Sequence, residues 1–117
     1  MQSIEPELRR LHSPDVPDLL NFRPSGSFGI LVQAMIGPRG SNGEESFDFV
    51  VCTPEWFSDT FSSVASGRHH LFVHVFDFHL LEVHIQNLCK RCVDKSWSLV
   101  AQKLGRVGKW EFEDYAP

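Results

Sequence analysis

The chain has 117 residues, of which 42% are hydrophobic and 22% charged, with a net charge of −4 and a pI near 5.8. That is one domain's worth of chain, with enough apolar material for a single core. The acidic balance argues against a direct nucleic-acid binder, which needs a basic footprint.

Three cysteines, Cys52, Cys89 and Cys92, are an odd number without the spacing of a disulfide framework. The first fifteen residues, MQSIEPELRRLHSPD, carry carboxylates where a signal peptide needs an apolar run. No apolar stretch approaches the length of a membrane span. The expectation is a cytoplasmic chain with reduced thiols and no membrane contact.

Residues 1–27 are broken by Pro6, Pro14, Pro17 and Pro24. They read as an irregular lead-in, with one short helical turn near Asp15 to Leu20 and apolar anchors at Leu8, Leu11, Leu19, Leu20 and Phe22. The body, residues 28–115, opens on a hairpin pattern. Phe28, Ile30, Val32, Ala34 and Ile36 recur at period two, and Phe47, Phe49 and Val51 do the same after a reversal. Gly37, Pro38, Gly40, Asn42 and Gly43 fill the reversal with turn formers. The strands are expected at about 28–36 and 45–52. Leu31 and Met35 make the first apolar on both faces, which suits an inner strand covered on both sides or one covered on its second face by the lead-in.

Thr53 is placed to cap a helix with Pro54 at its first position and Glu55 in its first turn. Trp56, Phe57 and Phe61 follow on it, and residues 62–67 read as its end and a loop. His70 to Phe76 reads as a third strand with Leu71, Val73 and Val75 inward. Asp77 then caps a helix whose stripe is Phe78, Leu81, Ile85, Leu88 and Cys92. Asp94 or Ser96 caps another, carrying Trp97, Val100, Ala101 and Leu104 and ending near Gly105 or Gly108. Trp56 and Trp97 read as core residues. The closing segment from Trp110 to Tyr115 is a short edge strand or an extended tail. This order predicts an α+β fold within a single domain, 1–117: a small, mostly antiparallel sheet with helices packed on it.

Chemistry-bearing groups are sparse. Cys89 and Cys92 have the spacing of a redox pair but fall near a helix C-terminus, where the dipole does not favour a thiolate, so the alternatives are core packing or thiol chemistry. His69, His70 and His74 surround the third strand, while His79 and His84 lie on the next helix. His79 and His84 are five apart, the wrong helical spacing for joint ligation, and no HExxH is present. A small metal- or thiol-dependent enzyme using the His69/His70/His74/His79 group or the Cys89/Cys92 pair is the alternative reading. No cofactor motif is present, because the loop at Gly37 to Gly40 lacks the following helix that a phosphate cradle requires. Two stretches instead combine carboxylates with aromatics: the hairpin tip with Glu44, Glu45 and Asp48, and the tail with Glu111, Glu113, Asp114 and Tyr115. Either they are solvated faces pinned by aromatics, or they supply anchor area and steering charge for a basic partner.

The run Ile36-Gly37-Pro38-Arg39-Gly40 with Gly43, Glu45 and Phe47, then Val51-Cys52-Thr53-Pro54-Glu55-Trp56, resembles the eighth immunity-protein family of bacterial polymorphic toxin systems. So do Trp97 with Ala101 and Leu104, and the closing Trp110-Glu111-Phe112-Glu113-Asp114-Tyr115. The resemblance covers about Phe28 to Tyr115, with Phe57 where leucine is expected and Phe76 where tyrosine is more typical. It implies a non-enzymatic antidote that binds a cognate toxin domain in the producing cell. Toxins of such systems are often nucleases, whose substrate sites are basic. Partner contact is accordingly expected at Glu44, Glu45, Asp48, Glu111, Glu113, Asp114 and Tyr115.

Overall fold

The computed structural model describes residues 2–61 and 63–114, so Ser62 and Tyr115 lie outside the described residues. Five strands form one sheet: β1 (Pro6–His12), β2 (Gly29–Pro38), β3 (Glu45–Cys52), β4 (His70–Phe72) and β5 (Lys109–Trp110). The order is β1-β2-β3-β4, with β5 pairing on β3. Among the described residues only the β3–β4 pair is parallel. Three helices, α1 (Pro54–Thr60), α2 (Phe78–Lys90) and α3 (Trp97–Leu104), complete an α+β fold.

The hairpin forms as its pattern predicts. β2 and β3 pair from Gly29↔Cys52 to Ile36↔Glu45, so the even-numbered apolar row of β2 faces the odd-numbered row of β3. Val32, Ala34, Ile36, Phe47, Phe49 and Val51 are buried together with Leu81, Ile85 and Leu88 of α2 and Val100, Ala101 and Leu104 of α3. These residues form one apolar cluster between the sheet and the two helices. The helix starts follow local chemistry. Thr53, Asp77 and Ser96 each offer a side-chain oxygen to the backbone N–H three residues on, which satisfies a donor left free at a helix start.

The lead-in differs from its expectation. Pro6–His12 is a strand along the free edge of β2, and the short turn is a 3-10 turn at Leu19–Asn21 capped by Asp18. The alternation of this strand is hidden in the residue pattern because its register shifts between Leu8 and Arg10. Such a bulge puts Leu8 and Leu11, three residues apart, on the same face and erases the period-two signal. The strand covers the edge of β2, whereas the second face of β2 leaves Leu31 and Met35 half-buried and carries Trp56 against Gly29.

The third strand is shorter than expected. β3 ends at Cys52, where the chain turns into the α1 cap, so the last ladder bond is Val73 N–H to Cys52 C=O at 2.9 Å. Beyond it the chain bends, and Val75 is 78% exposed rather than inward. The closing segment is strand only at its start, with Trp110 opposite Phe47 and Lys109 opposite Asp48, and residues 111–114 form turns in place of the expected edge strand or extended tail.

Candidate partner-binding surface

β5 brings the two acidic-aromatic stretches side by side. Because it pairs with the first half of β3, residues 44–48 and 109–113 share one end of the sheet. The backbone of Glu111 continues this contact: its N–H donates to Ser46 C=O at 3.1 Å, and its Oε1 accepts from Ser46 N–H at 2.7 Å.

Within this region the carboxylates divide by what they touch. Glu45 lies on the core side of β3, where its Oε1 accepts from Trp97 Nε1 at 2.7 Å and from Trp110 Nε1 at 2.9 Å. One carboxylate thus ties the start of β3 to α3 and to β5. Trp97 and Trp110 are half-buried around it, and Trp97 lies edge-on to Phe47 with ring centroids 6.5 Å apart. The tryptophans expected in the core, Trp56 and Trp97, are therefore only part-buried, because each packs at the rim of the sheet.

Glu44 pairs with Arg10 of β1 at 2.8 Å. Asp48 sits in a polar row across the outer sheet face: His12 Nε2 and Gln33 Oε1 are 2.9 Å apart, and Gln33 Nε2 donates to Asp48 Oδ1 at 3.3 Å. Glu113 accepts from Arg68 Nη2 at 3.1 Å and has His69 Nε2 3.5 Å away. Glu111 and Asp114 are exposed, and Asp114 adopts a positive φ of 61° at the close of the described chain. Tyr115 falls outside the described residues.

The histidines and cysteines of the alternative reading do not converge. His69 faces Glu113, while His70 belongs to an aromatic group with Phe57, Phe61 and Phe72. His74 is exposed in the bend after β4, and His79 and His84 are exposed on α2. Among the described residues no three of His, Cys, Asp or Glu stand where they could hold a metal ion. Cys89 and Cys92 are buried free thiols. Burial, with Cys92 adding to it, pushes the Cys89 thiol up to about 12, and burial also raises Cys92. Both thiols are held protonated, the opposite of what a thiolate nucleophile needs.

One tie was not legible in the residue pattern. Arg9 Nη2 donates to Pro38 C=O at 2.8 Å and to Ser41 C=O at 2.7 Å, holding the long hairpin tip to β1. Arg39, in the tip, meets Glu5 at 3.3 Å and Glu7 at 3.4 Å. The only signal for it is an arginine among alternating charges in a segment broken by prolines.

Taken together, the geometry defines a small α+β protein whose charged groups at one end brace a sheet edge, with Glu111 and Asp114 exposed beside them. The chain belongs to the family described as Immunity protein 8, whose family model matches residues 6–115. The match takes in β1, part of the segment that the resemblance in the body left outside. No curated protein and no solved structure matches the chain. Membership places it among the immunity proteins of toxin systems, which act on a toxin protein partner. Among the described residues no helix is long and apolar enough to cross a membrane.

Proposed function

We propose that this chain is the cytoplasmic antidote to one cognate toxin domain, neutralising it by stoichiometric binding rather than by catalysis. Family membership over residues 6–115 carries the reading. The surface we assign to the contact is the end of the sheet where residues 44–48 and 109–113 adjoin. Glu44, Asp48, Glu111 and Asp114 supply its negative charge. Glu45 and Glu113, bound to Trp97, Trp110 and Arg68, hold the surface in shape. Tyr115, next after Asp114 in the sequence, is assigned to the contact as well. Such a rim suits a toxin with a basic substrate site, a nuclease being the leading case. Opposite potentials accelerate encounter and exclude wrong partners more than they add raw affinity.

The test uses the toxin domain encoded beside this gene, co-produced with the chain and then titrated against it. Wild type is expected to restore growth and to bind one to one. The triple variant Glu44→Lys, Glu111→Lys, Asp114→Lys is expected to slow association by about ten-fold or more at low salt and to flatten its salt dependence. Unchanged association by a folded triple variant sinks this choice of surface. Failure of the wild type to bind or protect sinks the antidote reading itself.

A further inference from the structure

The register shift in β1 has an effect on the far side of the sheet. Leu8 stands opposite Ile36 and Leu11 opposite Ala34, both fully buried, so the two leucines lie on the core face. Arg10 is opposite Met35 and His12 opposite Gln33, on the outer face. Strict alternation would put Arg10 and His12 on the same face as Leu8. The shift between Leu8 and Arg10 turns both of them outward.

Turned this way, the two side chains reach the carboxylates of the hairpin. Arg10 Nη1 donates to Glu44 Oε1 at 2.8 Å. His12, Gln33 and Asp48 stand directly opposite one another across β1, β2 and β3. His12 Nε2 is 2.9 Å from Gln33 Oε1, and Gln33 Nε2 is 3.3 Å from Asp48 Oδ1. An ionised carboxylate only accepts, so the Gln33 amide NH2 faces Asp48, its oxygen faces His12, and His12 Nε2 carries a hydrogen. The imidazole thereby sets which way the amide points. Arg10 and His12 are both exposed, and polar contacts this open add little to fold stability. What they fix is where Glu44 and Asp48 stand.

We propose that Arg10 and Gln33 are positioning residues for toxin recognition, holding Glu44 and Asp48 in their binding orientation, with His12 orienting Gln33. The inference rests on the antidote reading and its assigned surface, and gives a role there to side chains of β1 and β2 outside that surface. The advantage is preorganisation: a carboxylate already held in place has less freedom to lose when the toxin docks. Preorganisation of this kind shows mainly in the dissociation rate, whereas unheld charge acts mainly on association. For Arg10 the two effects have opposite signs. Removing a cation beside Glu44 makes the surface more negative, so charge alone predicts faster association and tighter binding of a basic toxin. Loss of positioning predicts faster dissociation and weaker binding. Gln33→Ala is free of that conflict, because it changes no charge.

The experiment measures association and dissociation rates with the toxin domain encoded beside this gene. Gln33→Ala is tested alone and with Asp48→Ala, and Arg10→Ala alone and with Glu44→Ala. Dissociation of Gln33→Ala is expected to be about three- to ten-fold faster at unchanged association, with no further loss once Asp48→Ala is present. Arg10→Ala should depend on Glu44 in the same way, and Arg10→Lys should recover part of the loss. A merely structural role would cost the same in both backgrounds. Wild-type dissociation of a folded Gln33→Ala variant therefore overturns the proposal, and so does an equal loss beside Asp48→Ala. Tighter binding by Arg10→Ala overturns it for Arg10, which would then act as a neutralising charge only. Should Gln33→Ala fail to fold, His12→Ala on the exposed strand puts the same question through the same row. If Glu44→Ala and Asp48→Ala both dissociate as slowly as wild type, the proposal falls while the antidote reading stands. A toxin domain that the wild type does not bind overturns both.

Discussion

Glu45 and Trp97 are 52 residues apart in the chain, yet the Glu45 Oε1 accepts the Trp97 indole N–H at 2.7 Å. The same oxygen accepts from Trp110 at 2.9 Å, so one carboxylate closes the sheet, α3 and β5 together. Glu45→Ala leaves two half-buried indole donors without this acceptor. The expected cost is about 2–4 kcal/mol, read as a lower urea midpoint at unchanged m-value. Glu45→Gln keeps a carbonyl acceptor and loses the charge, so about 1 kcal/mol is expected. A Glu45→Ala variant as stable as wild type would show that the indoles find other partners without loss.

What could be read from residues alone tracks how local the cause is. The helix caps at Thr53 and Asp77 were legible, and the third was narrowed to Asp94 or Ser96, of which Ser96 is the cap, because a cap is a contact between residues three apart. The hairpin was legible because period-two burial repeats over both strands. β1 was not, because a register shift at Leu8/Arg10 breaks the alternation. For the candidate surface, composition singled out Glu45 and Glu113 as steering charges. Their bonds to Trp97, Trp110 and Arg68 arise only once α3, β5 and the segment after it have docked, across separations of 45 to 65 residues. The exposure of Val75 was equally hidden, since it depends on where β3 ends rather than on the residues around Val75.

Two glycines mark places where side chains have claimed the space above the backbone. A Cβ at Gly108 would stand 2.6 Å from Phe49 Cζ, and a Cβ at Gly29 would meet the Trp56 indole. Phe49 is fully enclosed, whereas Trp56 lies at the rim of the outer face and has room to move. Gly108→Ala is therefore expected to cost about 1–3 kcal/mol through overpacking, and Gly29→Ala less. Thermal or urea unfolding of the two variants checks the order, and a Gly29→Ala variant that is the more damaged would contradict it.

Alkaline pH should weaken the fold through Cys89. Its folded value is raised by burial from an ordinary 9.0 to about 12, so between these values the unfolded chain releases a proton that the folded chain keeps. The unfolded state then binds fewer protons, and stability falls as pH rises through that window while being fully present below it. The limiting slope is about 1.4 kcal/mol per pH unit, an upper bound for one thiol. Cys89→Ala removes the titrating group, so its unfolding free energy should depend less steeply on pH above about 9 even though the substitution itself destabilises. Parallel slopes for variant and wild type would assign the alkaline loss to other groups.

The last expectation concerns the long hairpin tip, which Arg9 reaches from β1 by donating to Pro38 and Ser41 carbonyls at 2.8 and 2.7 Å. Both bonds come from a cation whose side chain is largely withdrawn from solvent, with Glu7 Oε1 3.2 Å from its Nε. Arg9→Ala removes both carbonyl contacts at once and frees Glu7 from that partner. The global cost should be modest, about 1–3 kcal/mol, because the released carbonyls lie near solvent and can be hydrated. The local effect should be larger in proportion: amides from Arg39 to Gly43 should exchange faster while those of Val32 to Ile36 stay protected. Arg9→Lys restores the charge but not the planar fork that spans two carbonyls, so it should rescue only part of the protection. If tip exchange is the same in wild type and Arg9→Ala, the tip is ordered by its own turns and by the contacts of Arg39 with Glu5 and Glu7.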